Sequence, residues 1–201
     1  MNLAGERVLL RPWREEDLAP FAALNADPRV MTFMAGCLTR ADSDRLAMRI
    51  ARHFDRHGFG LWAVELMGVA PFIGCVGLAV PSFHASFTRC IEIGWRLARD
   101  YWGRGYAREA ARVALAVGFE DFGLERIVSF TARDNRRSRR LMERLGMSHS
   151  ADEDFGHPAL PEGHPLRPHV LYWLGRAEWR ALTTGLPEPA SRGLPEPSGE
   201  S

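Results

Sequence analysis

Lysine is missing from this 201-residue chain, whose 26 basic residues are all arginine. That absence excludes several mechanisms. A Walker-type phosphate loop needs a lysine on the β- and γ-phosphates, a protein kinase needs a strand lysine, and a pyridoxal enzyme needs a Schiff-base lysine. On a solvated surface arginine serves almost equally well, so the bias by itself reads as compositional; at a phosphate its planar fork can bind two oxygens at once. Net charge is nearly absent too, since 26 basic and 25 acidic side chains leave +1, with no global pull toward nucleic acid or an anionic membrane. Cysteine is scarce. Cys37, Cys75 and Cys90 are odd in number and lack Cys-x-x-Cys spacing, so they read as buried thiols in a reducing compartment. Long apolar runs are lacking as well: the longest, residues 72–80, is about half a membrane span. Glu6 and Arg7 interrupt the stretch where a secretory leader would be apolar. The expected location is the cytoplasm.

What remains is an ordinary globular composition, 46% hydrophobic and 25% charged, long enough to bury one core without a staple. A single domain over residues 1–184 is expected. Residues 185–201 repeat Gly-Leu-Pro-Glu-Pro and read as a Pro-rich disordered tail. Strands are expected at 7–10, 61–66, 72–80, 90–97, 126–131 and 170–174. Helices are expected after Trp13 up to the Asp27-Pro28 break, and at 42–57, 106–119, 135–145 and 177–182. Leu46, Ile50 and Phe54 recur at four-residue spacing, while Ala107, Ala110, Ala111, Ala114 and Gly118 form a stripe of small residues that would let the 106–119 helix lie close on a sheet. This order predicts an α/β or α+β sheet with helices packed on it.

The unit with the most chemical content is a strand, the turn Gly103-Arg104-Gly105 and the helix that follows. The first N–H groups of a helix have no internal partners, and glycines let an anion approach them. A dinucleotide fingerprint would need glycine at 108, where Arg108 stands, and no acidic residue follows at ribose-binding distance. A tight turn without a ligand is the plain alternative.

Ile91-Glu92-Ile93-Gly94-Trp95, Tyr101-Trp102-Gly103-Arg104-Gly105-Tyr106-Ala107-Arg108-Glu109-Ala110, and Asn135-x-x-Ser138 leading to Leu145-Gly146-Met147 together resemble the acetyl-CoA-binding core of the GNAT superfamily of N-acetyltransferases. Residues 10–17 and 27–31 resemble its branch of bacterial ribosomal-protein N-terminal (alanine) acetyltransferases. The likeness runs over roughly residues 5–180. It implies a mixed, mostly antiparallel central sheet of about seven strands, two central strands parallel and splayed, and helices on both faces. It also implies acetyl-CoA as co-substrate, with its pyrophosphate on the backbone of Gly103, Arg104, Gly105, Tyr106 and Ala107. Trp102 stands where the family usually has Gln or Arg, as that branch often shows an aromatic. Leu97 and Asn135 would bond the pantetheine arm and Ser138 would lie near the thiol, although Asn also favours a helix N-cap without any ligand.

Attack of a neutral amine on a thioester needs a base, an oxyanion donor and a proton for the thiolate. Glu92 is the candidate base, though a solvated glutamate on a half-exposed strand is the bland reading. A backbone N–H near Gly94 or Trp95, aimed by a bulge, would be the oxyanion donor. Met142 occupies the place of the family's acid tyrosine, leaving Ser138, or water near Tyr172, to supply the proton. At pH 7 an α-amine of pKa about 7.8 is roughly 15% neutral and a lysine only about 0.04%, so such a site is better matched to an α-amine. The expected activity is acetyl transfer to a primary amine such as a protein N-terminal α-amine. The alternatives are a small-molecule acetyltransferase (polyamine, antibiotic or amino acid) and an inactive acyl-CoA-binding module. Monomer and homodimer are both open.

Two clusters invite other readings. Arg133, Arg136, Arg137, Arg139, Arg140 and Arg144 crowd one short stretch, but no aromatics accompany them, so a solvated helix face with Arg136 or Arg140 near the CoA 3′-phosphate is expected rather than nucleic-acid binding. His157, His164 and His169 match no zinc spacing and lie among prolines; no metal is expected, and His157 or His169 would touch the acceptor.

Overall fold

The computed structural model describes residues 1–85, 87 and 90–184; the expected tail at 185–201 lies outside them. The chain runs β1 (Leu3–Ala4), β2 (Val8–Arg11), α1 (Leu18–Ala26), α2 (Arg40–His57), β3 (Leu61–Leu66), β4 (Ala70–Ala79), β5 (Ile91–Leu97), α3 (Tyr106–Ala116), β6 (Arg126–Ala132), α4 (Arg136–Arg144), β7 (Ser148–His149), β8 (Phe155–Gly156), β9 (Pro168–Gly175) and α5 (Arg176–Thr183). The strands form one nine-stranded sheet in the order β1-β2-β3-β4-β5-β6-β9-β7, with β8 also on β9. Six are substantial. The excess over the expected seven comes from the dipeptide strands β1, β7 and β8, which are too short to leave an alternating pattern.

Every pairing is antiparallel except β5 with β6, which holds only at Ile91↔Ile127 and Glu92↔Val128. Beyond Glu92 the two parallel strands part. β5 meanwhile stays in unbroken register with β4, from Ala79↔Glu92 to Gly74↔Leu97. The bulge expected near Gly94 is therefore not there; the sheet's irregularity falls in β3, between Val64 and Leu66.

Strand alternation splits the core into two. Ile93, Trp95 and Leu97 join the cluster containing Ala110, Ala111, Ala114 and Leu115 of α3, with Met142 and Leu145 alongside. The alanines are fully buried, so α3 lies close on the sheet, as the stripe of small residues predicts. The second cluster puts Phe21, Leu24 and Ile50 of α1 and α2 against Ala63, Phe72 and Cys75. Helices thus cover both faces.

Local chemistry explains the helix ends. Thr39 caps α2 by accepting from the Asp42 N–H, and Gly58 closes it with φ of 75°, a left-handed geometry that glycine adopts without steric cost. Beneath α1 lies a buried ion pair. Both oxygens of Asp17 accept from Arg11, each at 2.8 Å, and Glu65 accepts from Arg11 Nε at 3.0 Å. The Arg11 guanidinium also donates to the Pro71 carbonyl. No helix among the described residues is long and apolar enough to cross a membrane.

Candidate active site

The parting of β5 and β6 opens a cavity of about 260 Å³ that reaches both faces of the sheet. Glu92, Gly94, Trp95 and Arg96 of β5 line it, as do Ser129 and Thr131 of β6, Asn135, Ser138 and Met142 beside α4, and Phe21, Leu46 and Ile50 from α1 and α2. Three of the expected site residues, Glu92, Asn135 and Ser138, therefore come together. Ser129 Oγ bridges the mouth of the gap by donating to the Ile93 carbonyl at 2.9 Å. Because the Ile93 carbonyl points toward β6, alternation turns the N–H groups of Trp95 and Leu97 the same way. Gap geometry thus directs the Trp95 N–H toward the opening without a bulge.

Glu92 is half-buried in the cavity wall, and desolvation pushes its pKa up from 4.5 to about 8. Among the described residues no positive group offsets that desolvation. On the α4 side, Ser138 Oγ accepts from Trp95 Nε1 at 3.3 Å and from Asn135 Nδ2 at 3.1 Å. Its own hydroxyl proton is left for another acceptor. Asn135 is the N-cap of α4: its Oδ1 accepts from the Ser138 N–H at 3.3 Å while its Nδ2 also reaches Thr131 Oγ1 at 2.9 Å. Met142 is 1% exposed. Tyr172 stands apart from the cavity, donating to Glu143 at 3.1 Å and stacking on His149, so its hydroxyl is committed elsewhere.

Leu97, Trp102 and the turn through Ala107 do not line this cavity; they follow it along the chain at the end of β5. Trp102 Nε1 donates to the Leu97 carbonyl at 2.8 Å, and its ring carries the Arg137 guanidinium at 4.0 Å. The indole therefore ties the strand end, the turn and α4 together. Gly103 has φ of 73° and Gly105, the N-cap of α3, has φ of 88°. No side chain caps α3, and a Cβ on Gly103 would meet nothing within 4 Å. The N-terminal end of α3 is thus left uncapped beside open space at Gly103, the arrangement that suits a pyrophosphate. Arg7 supports the turn from behind through Arg104 O and the Tyr106 ring, while Glu109 anchors Arg7 with a 2.8 Å ion pair.

Arg136 and Arg140 sit exposed on α4. His157 and His169 instead lie tilted against each other, 4.8 Å between ring centres, within a group containing Phe83, Phe130 and Phe155, and burial lowers the pKa of both. Of this group only Phe130 reaches the cavity wall. Arg96 was not among the expected site residues, although it shares its strand face with Glu92 and Gly94.

Comparison with known proteins gives this geometry its family. The model of the acetyltransferase (GNAT) domain matches residues 7–148. YkkB of Bacillus subtilis (strain 168) is 33% identical over 150 residues, 74% of this chain and 86% of that protein. The N-acetyltransferase YnaD of the same organism is 26% identical over 180 residues, 89% of this chain and 99% of its own length. A GNAT-family acetyltransferase from Bacillus anthracis superposes with a TM-score of 0.72 at 26% identity, covering 88% of this chain and 99% of that one. RimJ of Mycobacterium smegmatis, in complex with CoA-disulfide, shares the fold with a TM-score of 0.69 at 20% identity, over 92% of this chain and 95% of its own. An opened parallel strand pair, a glycine turn feeding a bare helix N-terminus and a family match across most of the chain lead to one conclusion: the chain belongs to the GNAT family of acetyltransferases.

Proposed function

We propose that this chain transfers the acetyl group of acetyl-CoA to a primary amine, such as a protein N-terminal α-amine, inside the cavity between β5 and β6. The carrying observation is that the cavity passes through the sheet, with the glycine turn and α4 on one side and α1 and α2 on the other. Two substrates can therefore meet from opposite faces. Backbone N–H groups at Gly103, Arg104, Gly105, Tyr106 and Ala107 hold the pyrophosphate. The edge of β5 at Leu97 and the Asn135 amide guide the pantetheine arm toward Ser138.

The amine nitrogen attacks the thioester carbonyl carbon, the Trp95 N–H stabilises the oxyanion, and the C–S bond then breaks. Glu92 takes the amine's proton, and the Ser138 hydroxyl donates to the departing sulfur. A carboxylate with a pKa of about 8 is about half ionised at that pH, where an N-terminal α-amine is roughly 60% neutral. A thiol of pKa about 8.5 is a tolerable leaving group, which lessens the loss of the family's tyrosine to Met142. The acceptor amine is the α-amine of a protein N-terminus or an amine of a small molecule.

Met142 also favours a second reading, an acyl-CoA-binding module without turnover. A thiol-release assay with acetyl-CoA and a panel of amines and free-N-terminus peptides separates the two. Amine-dependent release supports transfer. Tight CoA binding without release on any acceptor refutes it.

A further inference from the structure

On the α1–α2 face of the sheet, β5 presents Glu92, Gly94 and Arg96 in succession. Gly94 has no side chain, and the nearest atom to a Cβ built there is Glu92 Oε1 at 3.9 Å, so an open slot separates an acidic from a basic side chain. Both lie against the cavity. Neither has an opposite charge beside it among the described residues. Glu92 has no hydrogen bond or ion pair among the described residues, and burial alone raises its pKa.

Arg96 is the more unusual of the two. Its Nη1 donates to Asn25 Oδ1 at 2.5 Å and its Nη2 reaches only the Met34 sulfur at 3.7 Å. Its Nε is sealed from solvent with no partner among the described residues. No carboxylate pairs with it among the described residues, in contrast to Arg11, which has Asp17 and Glu65. A guanidinium carries five donors in a planar fork, and enclosing it without a counter-charge is costly. Burial lowers its pKa accordingly. The side chain is nonetheless held in place: Asn25 is fully buried, with its amide nitrogen on Ser43 Oγ at 2.9 Å, which leaves its oxygen for Arg96. Asn25 and Ser43 thus orient a cation that has no counter-anion among the described residues.

The geometry points to an acceptor that brings that anion: a small amine carrying a carboxylate, held with its amine at the Glu92 end of the slot and its carboxylate on the Nη1 and Nη2 hydrogens of Arg96 that Asn25 and Met34 leave unused. The inference rests on the proposed acetyl transfer and narrows its acceptor. A single carboxylate suits the fork's bidentate geometry, whereas a dianion would be repelled once Glu92 ionises. A cavity of about 260 Å³ lies below the range of drug-sized ligand sites, which fits a small molecule better than a folded partner. In the reaction the carboxylate is bound and left unchanged. The amine nitrogen bonds to the acetyl carbon, the C–S bond breaks with its electron pair on sulfur, the amine's proton passes to Glu92, and CoA leaves as a thiolate, hydrogen-bonded by Ser138, that is protonated from solvent as Glu92 gives its proton back.

The test uses the full-length protein saturated with CoA for binding and with acetyl-CoA for turnover. The probes are α-alanine and the ω-amino acids glycine, β-alanine, 4-aminobutyrate and 5-aminovalerate, each beside its carboxamide, together with an alanine-starting octapeptide. At least one acid should bind more than tenfold tighter than its amide by calorimetry, and its kcat/KM should exceed the amide's by about a hundredfold. In Arg96→Gln both ratios should fall toward one, and Arg96→Lys, which keeps charge without the fork, should lie between; thermal melting checks that the variants fold. Equal treatment of every acid and its amide by the wild-type protein overturns the inference, and acetylation of the octapeptide or the amides would then leave the transfer reading standing. Acid-selective binding that Arg96→Gln abolishes, without acetylation of any amine, keeps the anion site and refutes acetyl transfer.

Discussion

Replacing Glu92 by Gln removes one ionisable proton from the middle of the sheet while keeping size and shape, so its effect on stability can be worked through. Burial raises the native pKa of Glu92 from 4.5 to about 8. Between these values the folded protein holds a proton that the unfolded chain has lost. Stability therefore falls as pH rises through this window, is undiminished below pH 4.5 and reaches its full loss above pH 8. A displacement of that size corresponds to at most about 4–5 kcal/mol at 1.36 kcal/mol per unit. The side chain keeps some contact with solvent through the cavity, which reduces the expectation to about 2–4 kcal/mol. Gln is neutral throughout and matches the protonated form. Urea denaturation of wild type and Glu92→Gln without ligand, at intervals from pH 5 to 9, should show the variant gaining on the wild type by that amount, with most of the change between pH 6 and 8. A difference that stays constant within about 0.5 kcal/mol would mean that Glu92 ionises freely in the folded protein, and the desolvation argument would fail. Activity adds an independent check: with acceptors of differing amine pKa, the wild type should keep a limb near pH 8 that Glu92→Gln loses.

Other perturbations reach the remaining parts. Gly103→Val forces a branched residue into φ of 73° and fills the space in front of α3, so the KM for acetyl-CoA should rise at least tenfold; an unchanged KM would remove the phosphate assignment. Trp102→Ala breaks the indole bond to Leu97 and the contact with Arg137 and should raise the same KM severalfold with little change in kcat, which steady-state kinetics will show. Arg11→Ala leaves Asp17, which is 2% exposed, as an unpaired buried carboxylate and should cost about 3–5 kcal/mol, measurable as a large drop in urea midpoint. Burial holds the Cys75 thiol near a pKa of 11, so iodoacetamide at pH 8 should label exposed Cys37 and spare Cys75 until the protein unfolds.

Elements with strong local signals were readable from sequence. The run from Leu46 to Phe54 with Gly58 behind it marks α2, and the alanine stripe marks the face that α3 buries. Elements created by their partners were not: Ser148–His149 and Phe155–Gly156 are strands only because β9 pairs with them. The end of the 106–119 segment also departs from expectation, since Val117–Asp121 winds as a π-helix after α3, a change of pitch that side-chain periodicity does not announce. At the site, Glu92 and Ser138 were legible through motif resemblance. Arg96 was not, because an arginine on a strand reads as solvated unless alternation is followed to the face that α1 and α2 cover. Asn135 shows how one residue serves two readings, for its amide caps α4 and lines the cavity together.

The early end of the β5–β6 ladder makes the interior of this sheet behave chemically as a margin. After Glu92↔Val128 the two strands keep their outer partners but not each other, so hydrogen-bonding groups at the centre of the molecule have the exchange behaviour of an outer strand. Amide protons of Trp95 and Leu97 should trade with deuterium far faster than those of Gly94 and Arg96, which face β4. An extended ligand arm laid in the opening would act as a missing strand, slowing that exchange and raising the melting temperature in proportion to the logarithm of its concentration once binding saturates. Catalytic room and ligand-dependent rigidity would then arise from the same omission in an otherwise continuous sheet.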